Sequence, residues 1–134
     1  MHKLRIAVVE DDRDDSDFFC TALQEKYTDL DIQVFGAGDH FLNFIQSGET
    51  LPDLVVTDLR MPLVSGFDVI SALRNNNDSK DIPIMVLSTS SSQEDKEKAA
   101  AMGVLAYFVK PYTYREYSEI TDEIMEKIRR KKVD

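Results

Sequence analysis

Runs of apolar residues that do not alternate with polar ones decide what this chain can become. Leu4-Arg5-Ile6-Ala7-Val8-Val9, Leu54-Val55-Val56-Thr57 and Ile82-Pro83-Ile84-Met85-Val86-Leu87 are apolar at nearly every position. A strand with one wet face alternates; one that does not is buried on both faces, which requires a sheet covered by helices on both sides. Leu105-Ala106-Tyr107-Phe108-Val109 reads as a further strand, and Asp31-Ile32-Gln33-Val34-Phe35 alternates, as an edge strand does.

Between the strands the apolar period changes to that of a helix. Phe18, Phe19, Ala22, Leu23 and Tyr27 predict a helix from about Asp14 to Tyr27, with aspartates in its first turn. Asp39 is expected to cap a second helix carrying Phe41, Leu42, Phe44 and Ile45. Phe67, Val69, Ile70, Ala72 and Leu73 make a third. The fourth, about Gln93 to Met102, is charged and alanine-rich; Ser91 and Glu94 have capping-box spacing, and Gly103 suits its C-terminal end. Tyr114, Tyr117, Ile120, Ile124 and Ile128 line the fifth. Strand and helix alternate five times. The expectation is an α/β domain over residues 1–134: a (βα)5, doubly wound, flavodoxin-like fold with a five-stranded parallel sheet in the order 2-1-3-4-5.

Composition narrows the function. At 134 residues and 43% hydrophobic, the chain can bury a core without disulfides. Cys20 is the only cysteine, so a reducing, cytoplasmic location is expected, with Cys20 filling core space. A net charge of −9 argues against direct nucleic-acid binding. The basic cluster Arg129-Arg130-Lys131-Lys132 complements a helix C-terminus. No stretch is long and apolar enough to suggest a membrane span or a signal peptide. His2, near the terminus, and His40 have no partner motif that would make them ligands or bases.

Ligand sites in such sheets lie beyond the carboxyl ends of the strands, where the strand order reverses. Strand one delivers Glu10 and Asp11 there, strand three Asp58, strand four Ser88 or Thr89, and strand five Lys110. Clustered carboxylates repel unless a cation or a proton joins them. An oxygen-rich acid cluster suits Mg2+, which links carboxylates to phosphate oxygens. A lysine supplies positive charge and a hydroxyl can donate to a phosphoryl oxygen. Together these groups make a phosphoryl-transfer site in which Asp58 is the nucleophile. Taken singly, each has a plain structural role: Glu10-Asp11-Asp12 as helix-start acids, Asp58 as a loop cap, Ser88-Thr89-Ser90 as a helix entry.

Val8-Val9-Glu10-Asp11-Asp12, Val56-Thr57-Asp58-Leu59-Arg60-Met61-Pro62, Gly66, Ser88 and Tyr107-Phe108-Val109-Lys110-Pro111 resemble the motifs of a receiver (CheY-like) domain of a two-component response regulator, of the stand-alone type. The resemblance covers nearly the whole chain. It implies that Asp58 accepts a phosphoryl group from a sensor histidine kinase or a histidine phosphotransfer protein. It implies that Glu10, Asp11, Asp58 and the backbone carbonyl of Arg60 arrange Mg2+, that Ser88 and Lys110 contact phosphoryl oxygens, and that Ser88 and Tyr107 form the switch. The strand-four/helix-four/strand-five surface would then regulate an output partner protein. Such a domain catalyses only its own phosphorylation and dephosphorylation, and is not an enzyme in the ordinary sense. Ser88 stands where threonine is commoner in the family, and Thr89 where alanine is often found. Arg60 is long and basic near the entrance; its side chain is expected to be solvated, the alternative being that it steers phosphodonors or changes the autodephosphorylation rate. Tyr112, Tyr114 and Tyr117 suggest a homodimer contact. A piece of a larger response regulator or hybrid kinase is the alternative reading. A metal-dependent phosphatase is disfavoured, because the second acid of an Asp-x-Asp motif is replaced by Arg60. A flavin carrier is disfavoured because Glu10-Asp11-Asp12 would repel the flavin phosphate.

Overall fold

The structure, a computed structural model, describes residues 3–133; His2 lies outside them. The elements run β1 (Leu4–Val9), α1 (Arg13–Lys26), β2 (Leu30–Phe35), α2 (Gly38–Gln46), β3 (Leu54–Thr57), α3 (Gly66–Arg74), β4 (Ile84–Ser88), α4 (Gln93–Ala101), β5 (Ala106–Val109) and α5 (Tyr114–Val133). All pairings are parallel and the order is β2-β1-β3-β4-β5, as expected.

The strands that lack alternation feed two cores, one on each face of the sheet. Ile6, Val8, Leu54, Val56, Met85 and Leu87 point to the face covered by α1 and α5, where they meet Phe19, Leu23, Tyr117, Ile124 and Ile128. Their neighbours Ala7, Val9, Val55, Ile84 and Val86 point the other way, to Phe41, Val69, Ile70 and Leu73 of α2 and α3. Each buried aliphatic side chain contributes about 1.5–3 kcal/mol by leaving water. At the sheet edge β2 buries only Phe35, on the face opposite Ile32 and Val34; Ile32 is half-buried and Val34 exposed, so the alternation does not mark a buried face here. Cys20 packs at the margin of the first core, and burial together with the nearby Asp17 charge pushes its thiol up to about 11, which keeps it protonated. No helix among the described residues is long and apolar enough to cross a membrane.

Several local expectations shift. Helix α2 starts at Gly38, with Ala37 at the N-cap and no side-chain cap; Asp39 lies in the first turn instead. Gly38 is buried where a Cβ would meet the Val64 side chain at 2.8 Å, so packing sets this helix start. The cap of α4 is one residue later than expected: Ser92 accepts from the Asp95 N–H at 3.1 Å. A full capping box occurs at α3, where Ser65 and Asp68 bond each other's backbone N–H at 3.2 and 2.9 Å. Strand β4 begins at Ile84, after Pro83, which lacks an N–H but still accepts from Val55 N–H at 3.0 Å. Gly103 ends α4 as expected, with φ at 83°; its N–H reaches Ala100 and that of Val104 reaches Ala99, a Schellman closure.

Gly66 carries the loop after β3. Its N–H donates to the Leu59 carbonyl at 2.9 Å, and a Cβ there would overlap the Asp58 carbonyl oxygen and sit 2.7 Å from Leu59 Cα. These neighbours are backbone and cannot swing aside. Gly66→Ala is therefore expected to destabilise the fold by about 1–3 kcal/mol, measured by urea unfolding. Helix α4 buries only Asp95 and Ala99, whereas α3 buries Gly66, Val69, Ile70 and Leu73. Amide hydrogen exchange should be faster along α4 than along α3; equal protection would mean that polar contacts hold α4 as firmly as a core does.

Candidate functional site

Adjacent parallel strands deliver their last residues to the same edge of the sheet. Glu10 follows β1 and its N–H is taken by Phe35 of β2 at 3.0 Å. Asp58 follows β3 and donates its N–H to Val9 of β1 at 3.0 Å. Lys110 follows β5 and donates its N–H to Ser88, the last residue of β4, at 2.7 Å. Strands are spaced about 4.8 Å apart, so the Lys110 side chain must cross the end of β4 to reach β3. The residue there is the small, fully buried Ser88.

Lys110 makes that crossing. Its ammonium lies 3.0 Å from Asp58 Oδ2, 2.7 Å from Glu10 Oε1 and 2.7 Å from Asp15 Oδ2. Lys110, Asp58 and Glu10 are all buried. Burial disfavours the Lys110 charge, but the hydrogen bonds it donates to Asp15 and Glu10 and the charges of Glu10 and Asp58 outweigh it, so its pKa rises above the ordinary lysine value. The other Asp58 oxygen, Oδ1, accepts from Leu59 N–H at 2.7 Å, so this residue also caps the loop that follows it. Glu10 Oε2 accepts from Asp12 N–H at 3.1 Å, and Asp12 caps α1 by accepting from Asp15 N–H at 3.0 Å.

The negative charge exceeds what one ammonium neutralises. Burial pushes the Glu10 carboxyl from its ordinary 4.5 up to about 8; its bond to Lys110 opposes the shift and the Asp58 charge adds to it. Glu10, Asp11 and Asp58 each bring a carboxylate oxygen within 4.8 Å of the other two, with Asp11 exposed to solvent. The donor set is all oxygen and is short of positive charge, so these residues fit a hard divalent cation.

Of the residues expected at the site, Glu10, Asp11, Asp58 and Lys110 come together. The Ser88 hydroxyl accepts from Ser90 N–H at 3.2 Å, while Thr89 is solvent-exposed. Tyr107 is half-buried, and its hydroxyl donates to the Ser90 carbonyl at 2.7 Å. The Arg60 side chain is largely exposed, as expected of a solvated arginine, but it is not without a partner. Its guanidinium lies 2.6 Å from Asp95 Oδ2 of α4, which also accepts from the Ser90 hydroxyl at 2.6 Å. The Ser90 bond and the Arg60 pairing hold the Asp95 carboxyl below its usual range. Asp15, Ser90 and Asp95 are polar participants that the sequence reading did not single out. Tyr117 is core, Tyr114 donates to Glu25 at 2.7 Å, and Tyr112 stands fully exposed.

The family model described as "Response regulator receiver domain" matches residues 6–122. A probable methanogenesis regulatory protein, FilR2 of Methanothrix harundinacea, is 35% identical over 79 residues, 59% of this chain and 51% of FilR2. The chain thus spans about half the length of that relative. Among solved structures, the phosphorylated cyanobacterial phytochrome response regulator RcpA superposes with a TM-score of 0.86 at 25% identity, over 94% of this chain and 93% of its own. The Mn2+-bound form of response regulator Rcp1 gives 0.82 at 26% identity, covering 90% of each chain.

The Glu10 shift predicts a pH dependence. Between about 4.5 and about 8 the folded chain holds a proton on Glu10 that the unfolded chain releases. The stability this proton supports is present at the low end of that window and is lost as pH rises through about 8. Glu10→Gln cannot lose it. In a chelator, the variant should gain stability relative to the native chain as pH climbs through the window, read from paired urea melts. A constant difference would show Glu10 ionised throughout.

Proposed function

The chain belongs to the response regulator receiver domain family of two-component signalling, and from that premise we propose that Asp58 is its phosphoacceptor. Receiver domains are signalling switches rather than enzymes that turn over an external substrate. The observation that carries the proposal is the Lys110 ammonium, brought by β5, bridging Asp58 after β3 and Glu10 after β1 inside a group of carboxylates. A carboxylate held beside a fixed cation, within a set of oxygen donors, is organised to receive a charged phosphoryl group.

A carboxylate oxygen of Asp58 attacks phosphorus in a phosphohistidine of a sensor kinase or phosphotransfer protein. The O–P bond forms, the N–P bond breaks, and the imidazole leaves carrying the electron pair of that bond and a proton. Glu10, Asp11, Asp58 and the Arg60 carbonyl would hold Mg2+, which when bound offsets the charge between carboxylate and phosphoryl oxygens. Lys110 pairs with a phosphoryl oxygen. Ser88 is buried at the end of β4 with its hydroxyl on Ser90 N–H, and rotation of that hydroxyl toward the phosphoryl group gives a second contact. Tyr107 shares the Ser90 turn, so a change there reaches β5 and the output surface around α4. Leu105 and Val109 are exposed beside it and suit contact with a regulated protein.

Asp58→Asn is expected to abolish labelling by acetyl phosphate in Mg2+, scored by intact mass. Stoichiometric labelling of the variant would place the acceptor elsewhere. Omitting Mg2+ should suppress labelling of the native chain; undiminished labelling in a chelator would remove the metal from the reading.

A further inference from the structure

Arg60 leaves the loop only two residues after Asp58, yet its guanidinium is engaged by a carboxylate on a different element, Asp95 of α4. The contacts continue from there. Asp95 Oδ2 accepts from the Ser90 hydroxyl as well, and the Ser90 carbonyl accepts from Tyr107 Oη at 2.7 Å. An unbroken polar path thus runs from the loop behind Asp58, through the start of α4, to the aromatic ring on β5. The Asp95 side chain is 8% exposed and held by several partners, whereas the Arg60 side chain is 65% exposed. The carboxylate is the anchored half of the bridge and the guanidinium the movable half. Helix α4 has few other holds on the sheet: Ala99 is its only buried apolar residue, and Lys98 lies over the Phe67 ring at 4.2 Å.

A phosphoryl group on Asp58 brings about −1.5 to −2 charges and three acceptor oxygens. It would compete with the single charge of Asp95 for a guanidinium that pairs well with either. We propose that Arg60 exchanges between Asp95 and the phosphoryl group on Asp58, and that Asp95 is the positioning residue that sets the cost of the exchange and passes it through Ser90 to Tyr107. The inference rests on phosphorylation at Asp58 and adds to it a route by which the new charge loosens α4. In the unphosphorylated chain Asp95 holds Arg60 away and Ser90 in place. When Arg60 leaves, Asp95 keeps its contacts with the serine hydroxyls of the same turn but loses its charged partner, and the turn that fixes the Tyr107 hydroxyl loses its brace. Linkage makes the effect reciprocal, so weakening the bridge favours the phosphorylated form.

The experiment is a double-mutant cycle on binding of the phosphoryl mimic beryllofluoride in Mg2+, followed by NMR at fixed ionic strength. Asp95→Asn keeps the side-chain shape and removes the charge. It should tighten beryllofluoride binding by about 3- to 5-fold, the scale of a partly exposed ion pair. Arg60→Gln should weaken binding, and in that background Asp95→Asn should have no effect. The tightening should shrink as salt is raised. Asp95→Ser, which keeps a short acceptor near Ser90, repeats the test if the amide perturbs α4. Tightening that persists undiminished without Arg60, no change, or weaker binding each overturns the exchange. A native chain that binds no beryllofluoride and takes no label from acetyl phosphate overturns the phosphoacceptor reading, and the exchange with it. Binding with additive effects overturns the exchange alone.

Discussion

One ammonium makes the carboxyl edge of this sheet tolerable. Glu10 and Asp58 are buried within reach of each other, and Asp15 joins them from the first helix. Without Lys110 between them, that density of negative charge in a poorly solvated crevice would force protons onto the acids or push the strand ends apart. The rest of the site follows from this need. The β3–α3 loop must curl tightly enough to present Asp58 to the lysine, which is why Gly66 is pressed against its backbone. The residue that ends β4 must be small enough for the lysine to pass. Even so, burial and, to a lesser degree, the Asp58 charge hold the Glu10 carboxyl above its ordinary range.

What could be read in the sequence, and what could not, divides along the range of the interactions. Glu10, Asp58 and Lys110 each follow directly upon an apolar strand, so strand ends alone place them, and the parallel topology then gathers them. The order of the strands was legible for the same reason: runs without alternation admit few sheets. Asp15 was hidden because an acid in a first helical turn already has a sufficient local role, and only the rotation of α1 turns it toward Lys110. The α4 cap slipped by one residue because Ser90, Ser91 and Ser92 are equivalent as local caps; Asp95 decides among them by drawing the Ser90 hydroxyl. The pairing of Arg60 with a residue 35 positions away has no local signature at all. Gly38 at the α2 start sits where a side chain would collide with Val64, a residue from a distant part of the chain.

The two faces of the sheet are held by different forces. Helices α1 and α5 share an extensive apolar core, reinforced by Lys26 and Tyr27 bonding Asp122 at 2.7 Å each. On the opposite face, α2 and α3 are anchored by apolar packing, but α4 adds little to it. Its attachment is carried by ion pairing, hydrogen bonding and a cation over an aromatic ring, contacts whose strength depends on local charge in a way that buried hydrocarbon does not. A helix held so can respond to a change in charge at the carboxyl edge while the core that defines the fold stays as it is.

The far end of that helix is fastened in a different manner. Arg74, at the end of α3, donates to the carbonyls of Lys80, Ile82 and Gly103 at 2.9, 2.8 and 3.0 Å, tying the approach to β4 and the turn after α4 to one side chain. The Schellman closure at Gly103 locks the same turn. Helix α4 is therefore a beam clamped at its C-terminal end and latched at its N-terminal end. Release of the latch leaves rotation about the clamp as the freest movement, with displacement growing along the helix toward Gln93. The end of the helix farthest from the chemistry is thus the fixed one, and it is fixed by a residue, Arg74, that does not touch the carboxyl edge.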